Sequence, residues 1–150
     1  MIIAKSQKDM DKMRAVGELI AEVREALRLM VKPGISTMDL NRAADKMIRD
    51  AGAIPTFIGY HGFPFAICAS VNEEIVHGFS KEDPLKEGDI ASLDMAATLN
   101  GFVGDTATTI PVGKISEELE QLKARLLEEA RAALRAAGIA ASSCDGRDRS

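Results

Sequence analysis

Two aspartates, Asp94 and Asp105, flank the dipeptide Asn100-Gly101, and each lies in a run of strand-forming residues. Asn-Gly between two such runs is the strongest short hairpin signal, because both turn residues must take positive φ. A two-residue loop there sets Leu99 opposite Phe102, Ala96 opposite Asp105 and Asp94 opposite Ala107. The two aspartates are then diagonal neighbours on one face of the ribbon, ~7–8 Å apart at the backbone, with side chains able to converge. Carboxylates that close repel one another unless a cation lies between them. Paired aspartates on a rigid hairpin are a common start of a two-metal site, with metals ~3.5–4 Å apart. Their neighbours on that face, Ser92, Ala96, Val103 and Ala107, are too small and apolar to neutralise two charges. The plainer alternative has Asp105 capping a turn after Gly104 and Asp94 at an exposed edge. A one-residue error in the loop would put the pair on opposite faces.

Few other side chains could do chemistry. His77 and His61 are the chain's two histidines, and each is by default a structural residue; His61, before Gly-Phe-Pro, orders a loop. Cys68 reads as a small buried hydrophobe before it reads as a reactive thiol. With Cys144 it forms neither a CxxC pair nor a disulfide framework, so a reducing cytoplasm is the default compartment.

Helices and a sheet must position these residues. Ser6 and Asp9 form a capping pair before Met10, Met13, Val16, Ile20, Val23, Leu27 and Met30 at helical spacing, and Lys32-Pro33-Gly34 ends that helix. Ser36 and Asp39 repeat the device before Leu40, Ala43, Ala44, Met47 and Ile48, with Gly52 as the C-terminal glycine. Segments 65–71, 74–77, 89–99 and 102–112 read as strands. A third helix starts near Ser116, carries Leu119, Leu122, Leu126, Ala130, Ala133, Leu134 and Ala137, and closes at Gly138. The order predicts an α+β fold with helices on an antiparallel sheet. The twelve residues after Gly138 have no period and little to bury, so residues 139–150 read as a disordered tail.

Composition narrows the class. At 150 residues and 46% hydrophobic, the chain can bury one core without disulfide or metal. A net charge of −4 argues against a nucleic-acid partner. No apolar run approaches the ~20 residues of a membrane helix, and Lys5, Lys8, Asp9 and Asp11 interrupt any signal peptide.

Residues 56–78 read TFIGYHGFPFAICASVNEEIVHG and residues 87–113 read EGDIASLDMAATLNGFVGDTATTIPVG. Both blocks resemble the signatures of the type I methionine aminopeptidases, and the resemblance covers roughly residues 3–113. It implies half of a pita-bread fold, two pseudo-symmetric halves with a dinuclear metal site between them. It further implies that Asp94 chelates one metal, that Asp105 bridges both, and that His77 contacts substrate near the scissile bond. Tyr60, Phe63 and Cys68 match positions lining the methionine side-chain pocket, as does Phe57 at a variable position. The implied cofactors are divalent ions, Mn, Co, Fe or Zn in the family, and the implied substrates are peptides with N-terminal methionine.

The pattern then breaks. The remaining family ligands, one histidine and two glutamates, belong to a second half, and one of those glutamates also serves as general base. Here no histidine follows His77, and the glutamates after Asp105, namely Glu117, Glu118, Glu120, Glu128 and Glu129, all lie in the third helix. Residues 1–138 are thus expected to form an amino-terminal half-domain that is inactive as a monomer. The expected partner is a second copy in a C2 homodimer, or the missing half itself. Four carboxylates facing across such a dimer would favour Mn²⁺, Mg²⁺ or Ca²⁺. Two competing readings stand beside this one: a noncatalytic, self-associating half-domain that binds metal, and a truncated product with foreign sequence after Gly138. The third helix is so uniform in Glu, Leu, Lys, Arg, Ala and Gln that it reads as idealised or engineered.

Overall fold

Ser6 and Ser36 start two helices by the same device, in a computed structural model that describes residues 4–137. Ser6 Oγ accepts the Asp9 N–H while an Asp9 carboxylate oxygen accepts the Ser6 N–H, both at 3.2 Å. Ser36 and Asp39 repeat the exchange at 3.1 and 3.0 Å. Each exchange satisfies two N–H groups that the first helical turn leaves unpaired. Helix α1, Gln7–Met30, buries Val16, Ile20, Val23 and Leu27. Helix α2, Thr37–Asp50, buries Leu40, Ala44 and Ile48. Between them Gly34, at φ 93°, turns the chain and donates its N–H to the Leu85 carbonyl at 2.8 Å.

The helices cover an antiparallel sheet of four strands: β1 (Ile54–Pro55), β2 (Ile67–Val71), β3 (Ile90–Leu99) and β4 (Phe102–Pro111). Strand β3 is central. Strand β4 runs along one of its edges, and β1 and β2 share the other. Ile67, Ala69, Leu93, Met95, Ala97 and Ile110 join the helix stripes in one core cluster. At Gly104 the backbone of α1 comes so close that an added Cβ would lie 2.9 Å from the Val16 carbonyl oxygen. Glycine there lets the helix rest on β4.

The hairpin has the expected loop. Asn100 and Gly101 take φ 52° and 80°, and the register pairs Leu99 with Phe102, Ala96 with Asp105 and Asp94 with Ala107. Three of the strand ends fall one or two residues inside the expected ones, and those at Val71, Leu99 and Phe102 coincide. Residues 74–77 depart altogether, because they form no strand. Asn72 leaves β2 at φ 56°, and its side chain accepts the Ile90 N–H at 3.0 Å. That bond ends the ladder, and Glu74 folds back so that its N–H meets the Val71 carbonyl at 3.2 Å. Strand β1 and a 3-10 turn at Tyr60–Gly62 are further elements that no expectation covered.

Among the described residues the chain divides into two compact units that part between Lys114 and Ile115. The second carries α3, Glu117–Ala136, whose Ser116 hydroxyl accepts the Leu119 N–H at 3.3 Å. Glu117, Glu118 and Glu120 place negative charge at its positive end. No residue of α3 is buried. Gly138 and the tail expected over 139–150 lie outside the described residues. Among the described residues no helix is long and apolar enough to cross a membrane.

Candidate metal and substrate site

Alternation along the strands gives the sheet a second face, turned away from the helix core. On it stand Cys68 and Ser70 of β2, Ser92, Asp94 and Ala96 of β3, and Asp105, Ala107 and Thr109 of β4. Cys68 lies opposite Asp94, and Asp94 opposite Ala107, so thiol and carboxyl occupy adjacent strands of one rigid ladder. Asp105 is offset by two residues on the same face, close enough for its charge to act on the Asp94 carboxyl.

Burial, and then the negative charge of Asp105, hold the Asp94 carboxyl above its ordinary range; His77 pulls it partly back. Burial first, and the charges of Asp94 and Asp105 next, push the Cys68 thiol up to about 11. Cys68 is therefore a neutral lining residue at physiological pH, with almost no nucleophilic thiolate.

These groups open into a cleft of about 550 Å³ lined by Phe57, Tyr60, His61, Phe63, Cys68, His77, Phe79, Asp94 and Asp105. Phe63 anchors its wall edge-to-face, with ring centroids 6.4 Å from Phe57, 5.8 Å from Phe65 and 5.3 Å from Phe79. Edge-to-face pairs of this kind fix ring orientation and add to the packing of an apolar recess. The structure brings every site residue expected from the sequence into this one cleft. It adds Phe79, for which the sequence offered no signal beyond its place two residues after His77. It also adds His61, expected only to order a loop, whose ring packs on Tyr60 at 4.5 Å between centroids.

The donor chemistry suits a hard divalent cation, since two carboxyl groups face one cleft and one of them is destabilised by the other's charge. It makes only part of a coordination sphere. Among the described residues no group of three or more His, Cys, Asp or Glu side chains gathers closely enough to hold a metal ion. Asp94 and Asp105 thus offer two donors of a chemistry that fits a divalent cation, fewer than such an ion takes.

The model of metallopeptidase family M24 matches residues 11–146. Methionine aminopeptidase 1 of Bacillus subtilis is 48% identical over 122 residues, which are 81% of this chain and 49% of that protein. Crystal structures of methionine aminopeptidases from Rickettsia prowazekii and Thermotoga maritima both superpose with TM-score 0.78, at 38% and 35% identity. The match covers 81% of this chain and 49% of the first structure, and 87% and 54% for the second. The chain spans about half the length of the curated relatives it matches. The resemblance carried by the two signature blocks, and the half pita-bread architecture it implied, are borne out.

Proposed function

The chain belongs to metallopeptidase family M24, and we propose that it supplies the first half of a methionine aminopeptidase site, which removes N-terminal methionine from peptides and nascent proteins once a second half completes it. One observation carries this reading: an aromatic-walled apolar recess and a paired-carboxylate hairpin open into the same cleft. In this reading Asp94 and Asp105 hold divalent metal through their carboxylate oxygens. A divalent ion held there would supply Lewis-acid polarisation of a peptide carbonyl and acidification of a water. His77 stabilises the substrate beside the scissile bond. Tyr60, Phe63 and Cys68, with Phe57, receive the flexible, polarisable thioether of methionine and keep water from it. Mn, Co, Fe or Zn would serve a completed site, and Mn²⁺, Mg²⁺ or Ca²⁺ would suit a site of carboxylates alone. Cytoplasmic residence goes with this substrate and with two cysteines that form no disulfide framework.

The second half is a second copy in a C2 pair or a separate half-domain. Support for such a partner comes from Tyr60, Ile75, Val76 and Phe79, which are 68%, 88%, 66% and 55% exposed. Apolar side chains concentrated this way mark association surfaces. A second reading, a noncatalytic self-associating half-domain with a residual metal site, is favoured by the incomplete donor set among the described residues.

Methionine release from a Met-Ala-Ser peptide with Mn²⁺ or Co²⁺ separates the two, with Asp94→Ala as control. Metal-dependent turnover abolished by Asp94→Ala supports an assembled site. Turnover no higher than the control assigns the chemistry to an absent half and leaves the chain a scaffold.

A further inference from the structure

His77 is held in place by a clamp that the aminopeptidase reading does not use. It sits at φ 56°, a left-handed conformation that residues with a Cβ adopt rarely and keep only when their surroundings enforce it. No strand ladder enforces it, because residues 74–77 pair with nothing along the sheet. The next residue is fastened instead. Gly78 donates its N–H to Ser70 Oγ at 3.1 Å, and its carbonyl accepts the Ala69 N–H at 2.9 Å. The approach is so close that a Cβ on Gly78 would stand 2.3 Å from the Ala69 carbonyl oxygen and 2.8 Å from Ser70 Cα. Only glycine fits.

The clamp is anchored where it matters. Ser70 is 4% exposed and pairs with Ser92 on β3, two residues along the strand from Asp94. The far end of the same loop is tied to β2 as well, since a Glu74 carboxylate oxygen accepts the Val71 N–H at 3.0 Å. A smaller cleft of about 240 Å³ is lined by Ser70, His77, Ser92 and Asp94 together. We propose that Ser70 is the positioning residue for His77: its hydroxyl, bonded to the Gly78 N–H, fixes the imidazole relative to Asp94 by tying both to the β2–β3 ladder. This rests on the role of His77 in the proposed site. A merely structural Ser70 would stabilise the loop without setting where the ring lies.

The test reads the ring directly and needs no metal. The chain has two histidines, so its imidazole Hε1 region holds two NMR signals, assigned with a His61→Gln variant. In the parent, Asp94→Asn should shift the His77 signal, because the ring and that side chain line the same small cleft. In a Ser70→Ala background the same change should shift it by less than about half as much, a loss of pairwise coupling. Ser70→Thr, which keeps the oxygen, should restore it. If Ser70→Ala does not fold, Ser70→Cys carries the test, because it keeps the shape with a weaker acceptor. An undiminished shift in the variant that folds overturns the proposal, as does a loss of the same size in Ser70→Thr. Calorimetric titration of the parent with Mn²⁺ reports separately on the metal reading, so the two can fail independently.

Discussion

At the scale of single residues, the cleft is governed by two neighbouring acids and the thiol across from them. The Asp94 carboxyl is raised by burial and by Asp105, so ionising it costs the metal-free fold stability. Stability from the protonated form is full below the ordinary carboxylate range and is lost as pH rises through the folded value. Asp94→Asn should therefore unfold at a higher temperature than the parent at neutral pH without metal, with the gap closing toward about pH 3. Saturating Mn²⁺ should reverse the order, because it stabilises only the chain that binds it. Thermal melts at two pH values with and without Mn²⁺ check all three statements. Cys68, pushed to about 11, should react with a maleimide at pH 8 about 100-fold more slowly than an unperturbed thiol, from ionisation alone. Labelling rates in a Cys144→Ser background, folded and in denaturant, measure this. A rate that does not rise on unfolding would contradict the burial that causes the shift.

At the scale of elements, identical chemistry is worth different amounts in different places. Ser6 and Ser36 make the same reciprocal bonds. Ser6 is exposed, whereas Ser36 is 5% exposed. Ser36→Ala should cost about 1–2 kcal/mol of unfolding free energy and Ser6→Ala about 0.5 kcal/mol, since an exposed helix end can turn to water. Urea titrations of the two variants compare them directly. The β3–β4 hairpin sets the distance between the acids, and α1 can rest on it only because Gly104 lacks a side chain. Gly104→Val should destabilise by about 1–3 kcal/mol through forced backbone movement, and the shift of the hairpin should weaken Mn²⁺ binding with it. Calorimetry on the folded variant reads both.

At the scale of the whole molecule, an open acid pair beside exposed apolar side chains predicts metal-linked association. Sedimentation at micromolar concentration should show monomer without metal, where the acid pairs of two copies repel, and dimer with Mn²⁺. Asp94→Asn combined with Asp105→Asn should abolish the metal response. Monomer alone under both conditions would remove the second copy as the completing partner.

Much of this was legible in residue order because much of it is local. Serine three residues before aspartate, Pro-Gly after a helical stripe and Asn-Gly between strands each encode structure within a few bonds. The two-residue loop alone put Asp94 and Asp105 on one face. Contacts between distant segments decided the rest. Residues 74–77 look like a strand, but Asn72 bonds across to Ile90 and ends the ladder before them. The left-handed turn at His77 depends on Ser70 and Ala69 receiving Gly78. Phe79 enters the cleft wall because its ring packs on Phe63, sixteen residues earlier in the chain. Short-range hydrogen bonds and turn sterics can be read along the chain, whereas the course of a loop between strands depends on neighbours that exist only once the sheet has formed.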